Sequence, residues 1–295
     1  MNILIIGGSG FIGYHLKQYL KEFYTVFSTY NTHKIVDSNS FQINLHNFNS
    51  IEKIFSKVNP DVVIHTAAIT NVDFCEKNKN LSMNTNFYGT KNIVKLSKEY
   101  KNKIIFISTP FVYDGTLAKY NEEDVNFNPR TYYGITKQKS EELVSNSNLS
   151  KLILRIDQPY FWKTNWHHTN SVLRVIETLS KNDVIREVVD WKNNPTYVPD
   201  FLEATKQLID QKINGSFNLT GNDFISRFEW AKITAKIFQL NEKLILPIYS
   251  NELKLDVKRP NIRLENEKIF NKIGVKMRGV EEGMLDMRSK KSEFQ

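Results

Sequence analysis

A cluster of glycines between a short apolar run and an amphipathic segment most constrains the fold of this chain. Only 12 of the 295 residues are glycine, yet four fall in the run Gly7-Gly8-Ser9-Gly10-Phe11-Ile12-Gly13, after the apolar run Asn2 to Ile6. A glycine turn from a strand into a helix lets the backbone approach a pyrophosphate, and the helix start attracts its charge. The run predicts a dinucleotide-binding turn, and the alternative is a tight strand-to-helix turn without a ligand. The predicted cofactor contacts at this turn are Gly7, Gly10, Phe11, Ile12 and Gly13.

Apolar runs alternate with helical patterns through the first half of the chain. The predicted strands are Asn2 to Ile6, Tyr24 to Thr29, Asp61 to Thr66, Lys103 to Ser108 and Lys151 to Ile156. The predicted helices are Phe11 to Glu22, Phe48 to Val58, Leu81 to Tyr100 and Tyr132 to Ser145. Such alternation is typical of a parallel sheet covered by helices. We therefore predict an α/β fold, a Rossmann-type doubly wound parallel sheet with a smaller mixed α/β C-terminal substrate lobe.

The alternation stops after Arg155, which sets the predicted domain organisation. Residues 1–156 are predicted to form the dinucleotide-binding domain, and residues 199–221 to return a helix and a strand to it. Residues 157–198 and 222–295 are predicted to form the substrate-binding lobe, with a helix from Ser171 to Ser180.

Composition narrows the class of protein. The chain is 40% apolar and 12% aromatic, which supplies a core for one large domain or two unequal ones. The net charge of +8 is spread along the chain, which suits an anionic substrate and does not indicate nucleic acid. The first residues match neither a signal peptide nor a membrane span, and Cys75 is the single cysteine. We expect a cytoplasmic protein without a disulfide, and a homodimer as the default assembly.

The end of the second predicted strand distinguishes the two nicotinamide cofactors. NAD-binding turns place an acidic residue about 20 positions after the glycines to bind the ribose 2′-hydroxyl. This chain has the run Ser28-Thr29-Tyr30-Asn31-Thr32-His33-Lys34 there, with no carboxylate before Asp37. Hydroxyl groups and Lys34 suit a 2′-phosphate. NADP(H) is therefore favoured over NAD(H), the alternative being that His33 and Lys34 are simply exposed loop residues.

Tyr133 and Lys137 are spaced four residues apart in a predicted helix, so both side chains lie on one face. Tyr132 has a threonine four places on, at Thr136, and is set aside. A phenol beside an ammonium is a tunable proton donor, because a positive charge stabilises the phenolate. The alternative is an ordinary exposed pair on a helix.

Taken together, these motifs resemble the extended short-chain dehydrogenase/reductases, and more narrowly the dTDP-4-dehydrorhamnose reductase group. The likeness covers nearly the whole chain. The stretches that carry it, besides the glycine turn and the Tyr-x-x-x-Lys pair, are Val63 to Asp73, Ser108 to Gly115, Pro195 to Asp200, Asn218 to Gly221 and Arg259 to Leu264. The resemblance implies an NADPH-dependent reductase of a nucleotide-linked 4-dehydro-6-deoxyhexose.

The resemblance also assigns residues to roles. It makes Tyr133 the proton donor, Lys137 the residue that stabilises the phenolate and holds the nicotinamide ribose, and Thr109 the third catalytic residue, which orients the substrate oxygen. Further implied cofactor contacts, beyond the glycine turn and the catalytic pair, are Thr29, Asn31, Lys34, Asn44, Leu45, Thr66, Ala67, Ala68, Thr70, Asn86 and Ser108. The implied substrate contacts are Thr109, Pro110, Phe111, Val112, Arg259 and Arg263.

The chain departs from the family pattern at the substrate side. Rhamnose-type reductases usually have Ser-Thr-Asp-Tyr-Val-Phe where this chain has Ser108-Thr109-Pro110-Phe111-Val112-Tyr113. Proline cannot replace a carboxylate that binds substrate, so either the sugar differs or another group, for which Asp157 is a candidate, supplies the contact. Arg259 and Arg263 suit a nucleotide diphosphate, since guanidinium groups bind phosphate in a bidentate fashion, and surface salt bridges are the alternative.

Other residues and functions remain open or are set aside. Trp162 and Trp166 either stack on a base or sugar or pack in the lobe core. No metal site is expected at His167-His168, because no carboxylate or cysteine stands at ligand spacing, and Cys75 is given no role. The alternative functions are a nucleotide-sugar epimerase or dehydratase of the same fold, and a non-catalytic NADP-binding regulatory subunit resembling the methionine adenosyltransferase beta subunit.

Overall fold

The computed structural model describes residues 1–35, 37–125 and 127–293, and its centre is one parallel sheet. Seven strands form that sheet: β1 (Asn2–Ile6), β2 (Thr25–Tyr30), β3 (Ser40–Gln42), β4 (Val62–His65), β5 (Lys103–Ser108), β6 (Lys151–Arg155) and β9 (Gly215–Asn218). Their order is β3-β2-β1-β4-β5-β6-β9, and every adjacent pair is parallel. The predicted doubly wound α/β fold is confirmed.

Eleven α-helices occur among the described residues. They are α1 (Phe11–Leu20), α2 (Phe48–Val58), α3 (Val72–Lys77), α4 (Lys79–Met83), α5 (Gly89–Tyr100), α6 (Tyr132–Ser145), α7 (Ser171–Leu179), α8 (Val198–Asp210), α9 (Arg227–Ile237), α10 (Glu267–Ile273) and α11 (Val280–Ser289). Two small sheets complete the fold: β8 (Lys192–Asn193) pairs antiparallel with β10 (Ile225–Ser226), and β7 (Ile185–Val188) pairs parallel with β11 (Ile245–Ile248). No helix in the described ranges is long and apolar enough to cross a membrane.

The central strands are buried on both faces, as expected for a parallel sheet between helices. Ile3 and Ile5 of β1 belong to one hydrophobic core, whereas Leu4 and Ile6 belong to the other. The alternation follows from the two-residue period of a strand, which turns successive side chains to opposite faces. The division of the chain into domains stays a prediction, and the pairing of β9 with β6 agrees with the return of residues 199–221 to the first domain.

One predicted helix is wrong. The segment Leu81 to Tyr100 is not a single α-helix, because α4 and α5 are separated by a π-helical turn at Asn84–Tyr88. Asn86 within this turn bonds outward: its amide Nδ2 donates to Ile69 O and to Thr136 Oγ1, each at 3.0 Å. The wider turn therefore ties the loop after β4 to helix α6, and π-helical turns of this kind are frequent at functional sites.

The position of the site follows from the strand order. The chain moves from β1 outward to β2 and β3 and then returns to the other side of β1 with β4. Ligands of such sheets bind at this reversal, beyond the carboxyl ends of the strands. The loops after β1, β4, β5 and β6 meet there.

Candidate active site

The glycine turn after β1 is shaped by close backbone approaches. Gly7 has φ of +90°, and a Cβ atom added there would lie 2.8 Å from Ala67 Cβ. A Cβ atom on Gly13 would lie 2.2 Å from Gly7 O, so no side chain fits at either position. The Gly7 N–H donates to Thr29 Oγ1 at 3.1 Å, so Thr29 of β2 supports the turn. The turn therefore requires glycine at positions 7 and 13.

The N-terminus of α1 is suited to an anion. Gly10 is its N-cap, and within the described part of the chain no side chain caps this helix and no acidic residue occupies its first turn. The first N–H groups of a helix lack partners within the helix, and its dipole favours negative charge there. A cofactor pyrophosphate therefore fits this helix start, and an added Cβ at Gly10 would meet only Gly7 O, at 3.3 Å.

Two polar side chains of the region from β2 to β3 have partners within the protein. Ser28 is fully buried, and its Oγ lies 2.8 Å from Ser40 Oγ on β3. The Asp37 carboxylate lies 2.7 Å from Lys17 Nζ, and this contact holds the pKa of Asp37 below its usual range. Asp37 is therefore engaged by a cation and does not stand free to bind a ribose hydroxyl. His33, in contrast, lines the catalytic cavity described next.

A cavity of about 670 Å³ lies between the glycine turn and the start of α6. Tyr133 and Lys137 line it from α6, and Thr109 lines it from the end of β5. The predicted catalytic residues are thus brought together. The other predicted site residues that line this cavity are Gly10, Phe11, Ile12, Gly13, Thr66, Ala68, Thr70, Ser108, Phe111 and Arg259.

Helix α6 is held against the end of β5 by a glycine. A Cβ atom added at Gly134 would lie 2.1 Å from Phe111 O, so only glycine allows this approach. The Thr131 side chain caps α6 by accepting the Gly134 N–H at 3.0 Å. Pro110 begins a short 3₁₀-helix, Pro110–Val112, at a position where its missing N–H is not required. The result is that Tyr133 is placed beside Thr109.

The Tyr133 side chain is an uncharged phenol at neutral pH. Burial raises its pKa above the usual value; a hydrogen bond with Thr109 opposes this, and the negative charge of Asp157 adds to it. Stabilisation of the phenolate by Lys137 and an oxidised nicotinamide stays a prediction, and in the protein chain burial is the largest effect on this pKa. A neutral phenol is the form that donates a proton.

Lys137 is buried, with 4% of its surface exposed. Its Nζ donates to Ile107 O at 2.6 Å and lies 3.9 Å from the centroid of the Phe106 ring. Burial lowers its pKa to about 7, opposed by the charge of Glu141. Glu141 is itself bound by Arg155 through contacts of 3.0 and 2.8 Å, so the two side chains form a buried ion pair. Lys137 is thus a buried amine close to its titration point at neutral pH.

Several predicted contacts do not line this cavity, and their roles stay predictions. They are Gly7, Thr29, Asn31, Lys34, Asn44, Leu45, Ala67, Asn86, Pro110, Val112 and Arg263. Arg263 is exposed, whereas Arg259 lines the cavity and binds the Asp73 carboxylate at 2.5 Å. Leu45 packs against Gly89, and the Asn44 side chain accepts the His46 N–H at 2.9 Å. Cys75 is buried in a cluster with Phe111 and Tyr133.

A segment beyond β6 also contacts the glycine turn, and this contact could not be read from the sequence. Trp166 Nε1 donates to Ser9 O at 3.1 Å, and His167 Nε2 lies 3.1 Å from the same oxygen. The Thr164 N–H donates to His167 Nδ1 at 3.4 Å, so Nε2 carries the proton and donates to Ser9. Both Trp166 and His167 line the cavity. Within the described ranges no group of His, Cys, Asp or Glu side chains is arranged to hold a metal ion.

Asp157 and Trp191 also line this cavity. Asp157 was a candidate for the missing acid, and that role stays a prediction. Trp191 was not identified, because a lone tryptophan in a segment of short strands has no sequence pattern that points to a site.

Comparisons with known proteins agree with this geometry. A family model described as RmlD substrate binding domain matches residues 1–292. The chain is 27% identical over 258 residues to methionine adenosyltransferase 2 subunit beta from Bos taurus, with 83% of this chain and 75% of that protein covered. It is 23% identical over 301 residues to dTDP-4-dehydrorhamnose reductase from Aggregatibacter actinomycetemcomitans, with 97% and 98% covered. The crystal structure of dTDP-4-dehydrorhamnose reductase from Bacillus anthracis in complex with NADP matches with a TM-score of 0.87 and 25% identity, over 98% of this chain and 99% of that one.

Proposed function

The chain belongs to the RmlD substrate binding domain family, and from this premise we propose that it is an NADPH-dependent reductase of a nucleotide-linked 4-dehydro-6-deoxyhexose. The coarser assignment is an NAD(P)-dependent oxidoreductase that acts on a sugar nucleotide, in agreement with relatives that are dTDP-4-dehydrorhamnose reductases, one of them solved with NADP. The observation that carries the proposal is the meeting of Thr109, Tyr133 and Lys137 in one cavity beside the glycine turn. The cytoplasmic location and the homodimer stay predictions.

The residues of this cavity suit the reduction of a ketone. NADPH supplies a hydride when bound, and a donor must protonate the alkoxide that develops on the substrate oxygen. Tyr133, kept neutral by burial, is that donor. The Thr109 hydroxyl accepts the Phe111 N–H at 3.4 Å and hydrogen-bonds the Tyr133 phenol, so both hydroxyl groups lie where they can meet one substrate oxygen. Lys137 presents an amine to the ribose hydroxyls and, when protonated, stabilises the phenolate that remains.

The test compares two adjacent tyrosines. NADPH oxidation is followed by absorbance on adding a panel of nucleotide-linked 4-ketosugars to the wild type, to Tyr133→Phe and to Tyr132→Phe. We expect Tyr133→Phe to lower turnover by about 10²- to 10⁴-fold, because the proton donor is lost, with NADPH binding unchanged. Tyr132→Phe is the matched control and keeps its activity. A wild type that binds NADPH but oxidises it with no member of the panel refutes the reductase.

A second candidate is a non-catalytic NADP-binding subunit, favoured by the likeness to methionine adenosyltransferase 2 subunit beta. It predicts a stoichiometric partner in a pull-down, with partner binding unaffected by Tyr133→Phe. The epimerase or dehydratase alternative predicts NAD that remains bound during purification, and the engagement of Asp37 by Lys17 does not favour it.

A further inference from the structure

Asp157 is a buried carboxylate on the wall of the catalytic cavity to which the proton transfer proposed above gives no role. It follows β6 by two residues, is 4% exposed, and lines the cavity together with Thr109 and Tyr133. Its charge acts on the Tyr133 phenol, whose pKa it raises after the larger effects of burial, Thr109 and Cys75. A buried carboxylate is costly unless its hydrogen bonds are satisfied, so its partners indicate what it is for.

The surrounding structure fixes the direction of this side chain. The Asp157 N–H donates to Thr196 Oγ1 at 3.0 Å, and its carbonyl accepts the Thr196 N–H at 2.7 Å. The carboxylate oxygen Oδ2 accepts from the Asn194 N–H at 2.9 Å and from Asn193 Nδ2 at 3.2 Å. Asn194 is held in turn by the Leu264 N–H, which donates to its Oδ1 at 3.0 Å. The carboxylate is therefore preorganised.

The two carboxylate oxygens are not equally used. Within the described ranges, Oδ1 has a single long contact of 3.4 Å, to the same Asn193 amide that donates to Oδ2. An ionised carboxylate offers about four acceptor positions, so Oδ1 retains capacity at a buried site. Burial raises the pKa of Asp157 to about 6, with Asn194, Asn193 and the charge of Arg227 opposing it, so the group is mostly ionised at neutral pH.

Two buried donors belong to residues that line the same cavity. Among the described residues, Trp191 Nε1 and Ser108 Oγ are buried without a hydrogen-bond partner, and both residues line the cavity. An acceptor and two donors around one cavity suit a ligand whose groups both donate and accept, as the hydroxyls of a sugar ring do. Asp157 does not suit the reacting oxygen, because a carboxylate repels the negative charge that develops there.

We propose that Asp157 determines substrate specificity: its Oδ1 accepts a hydrogen bond from a ring hydroxyl other than the reacting oxygen, and the Trp191 indole N–H donates to the same ring. The proposal rests on the proposed function and names the residues that recognise the sugar. Asn193 and Asn194 are positioning residues that hold the carboxylate in place.

The substitution Asp157→Asn exchanges a hydrogen-bond acceptor of the cavity for a donor. The new amide oxygen stays on the Asn193 and Asn194 donors, so the NH₂ group turns to the position of Oδ1 and a donor replaces an acceptor. Glu122→Gln is the matched control. Glu122 is also a buried carboxylate, 9% exposed, that accepts a backbone N–H, from Asn218 at 2.8 Å, but it does not line the cavity.

The experiment measures kcat/KM for a nucleotide-linked 4-dehydro-6-deoxyhexose and for analogues in which each ring hydroxyl in turn is replaced by hydrogen. We expect the wild type and Glu122→Gln to prefer the parent over one analogue by about 10- to 100-fold, the usual effect of a hydrogen bond to a charged group. In Asp157→Asn this preference falls to about 3-fold or less, with the Kd of NADPH unchanged. If the preference persists in Asp157→Asn, or falls equally in Glu122→Gln, the proposal is overturned.

Failure of the reductase assignment is separable from failure of this proposal. If the wild type reduces no ketosugar, calorimetry compares a nucleotide-linked 6-deoxyhexose with the free nucleotide. A gain in affinity from the sugar that Asp157→Asn abolishes supports the proposal, and an equal gain in both proteins overturns it.

Should Asp157→Asn no longer bind NADPH, the variant Trp191→Phe is used for the test instead. It removes the indole N–H and keeps an aromatic ring, and an unchanged preference among the analogues contradicts the proposal.

Discussion

We expect the buried Lys137 to lower the free energy of unfolding of the protein, and replacing this residue tests the expectation. The ammonium is buried beside Ile107 O and the Phe106 ring, and the nearby Glu141 is already bound by Arg155. We predict that Lys137→Met makes the protein more stable at neutral pH. The same change removes the group that holds the ribose and stabilises the phenolate, so reductase activity falls.

The magnitude follows from the pKa. Burial lowers the pKa of Lys137 from 10.5 to about 7. Each pKa unit corresponds to about 1.4 kcal/mol, so the folded state bears a cost of about 4 kcal/mol at pH 7 for holding an amine that is charged in the unfolded chain. The hydrogen bond that a neutral amine keeps with Ile107 O offsets about 1 kcal/mol of this. We therefore expect the free energy of unfolding to rise by about 3 kcal/mol in Lys137→Met.

The dependence on pH gives the sharper assay. A base whose folded pKa is depressed binds fewer protons in the folded state, so the wild type gains stability as pH rises from about 7 towards 10.5. Urea unfolding of both proteins between pH 6 and 10 should show the advantage of Lys137→Met constant below pH 7. Above pH 7 it should shrink by about 1 kcal/mol per pH unit. Groups common to both proteins, such as Lys103, cancel in this difference.

The matched control lies on the same helix. Lys139 is exposed two positions further along α6, and Lys139→Met should change stability by less than about 0.5 kcal/mol at every pH. The reasoning is refuted if Lys137→Met is less stable than the wild type at pH 7. A stability difference that does not vary between pH 7 and 10 refutes it as well.

Two further predictions concern contacts that hold the site. Glu141→Gln leaves Arg155 buried without its counter-charge, since both side chains are 2% exposed. The free energy of unfolding, measured in urea, should fall by about 3 to 5 kcal/mol. A loss below about 1 kcal/mol would contradict a buried ion pair. His167→Ala removes a hydrogen bond to Ser9 O on the glycine turn and should weaken NADPH binding about 5-fold by fluorescence titration. Trp166→Phe should act in the same direction, and an unchanged Kd in both variants would exclude this segment from cofactor binding.

The central fold could be predicted because its signals are local. A glycine turn after an apolar run and a two-residue strand period are properties of consecutive residues, and β1, β5, α2 and α6 were predicted with the bounds that the structure has. The three-residue edge strand β3 was missed, since so short a run carries no periodicity. The π-helical turn at Asn84–Tyr88 was missed because its cause is distant, in the bonds of Asn86 to the loop after β4 and to α6.

Part of the candidate site could likewise be predicted from the sequence, and part could not. Thr109, Tyr133 and Lys137 could be found because they stand in recognisable short patterns at a strand end and on one helical face. The contacts of His167 and Trp191 with the site could not be predicted, and Trp166 was left open between stacking on a ligand and core packing, since each depends on a segment beyond β6 that folds back to the cavity. The pKa of the Tyr133 phenol also lay beyond the sequence, because its direction depends on burial rather than on the lysine four residues away.

The carboxylate that is missing at Pro110, after β5, has a possible replacement in Asp157, after the neighbouring strand β6. Ser108 of β5 is paired in register with Arg155 of β6, so Pro110 and Asp157 each stand two residues beyond a paired position on adjacent strands. Adjacent strands are about 5 Å apart, so a carboxylate moved from one strand end to the other stays at the same edge of the sheet. Pro110 is buried at the start of its short helix, while Asp157 faces the cavity. A sugar bound here would thus meet its hydrogen-bond acceptor from the β6 side. The double variant Pro110→Asp with Asp157→Ser moves the acid back to the β5 side. We expect it to change which ring hydroxyl is preferred, without abolishing discrimination among the analogues. Loss of discrimination at every ring position in that variant would show that the two strand ends are not interchangeable.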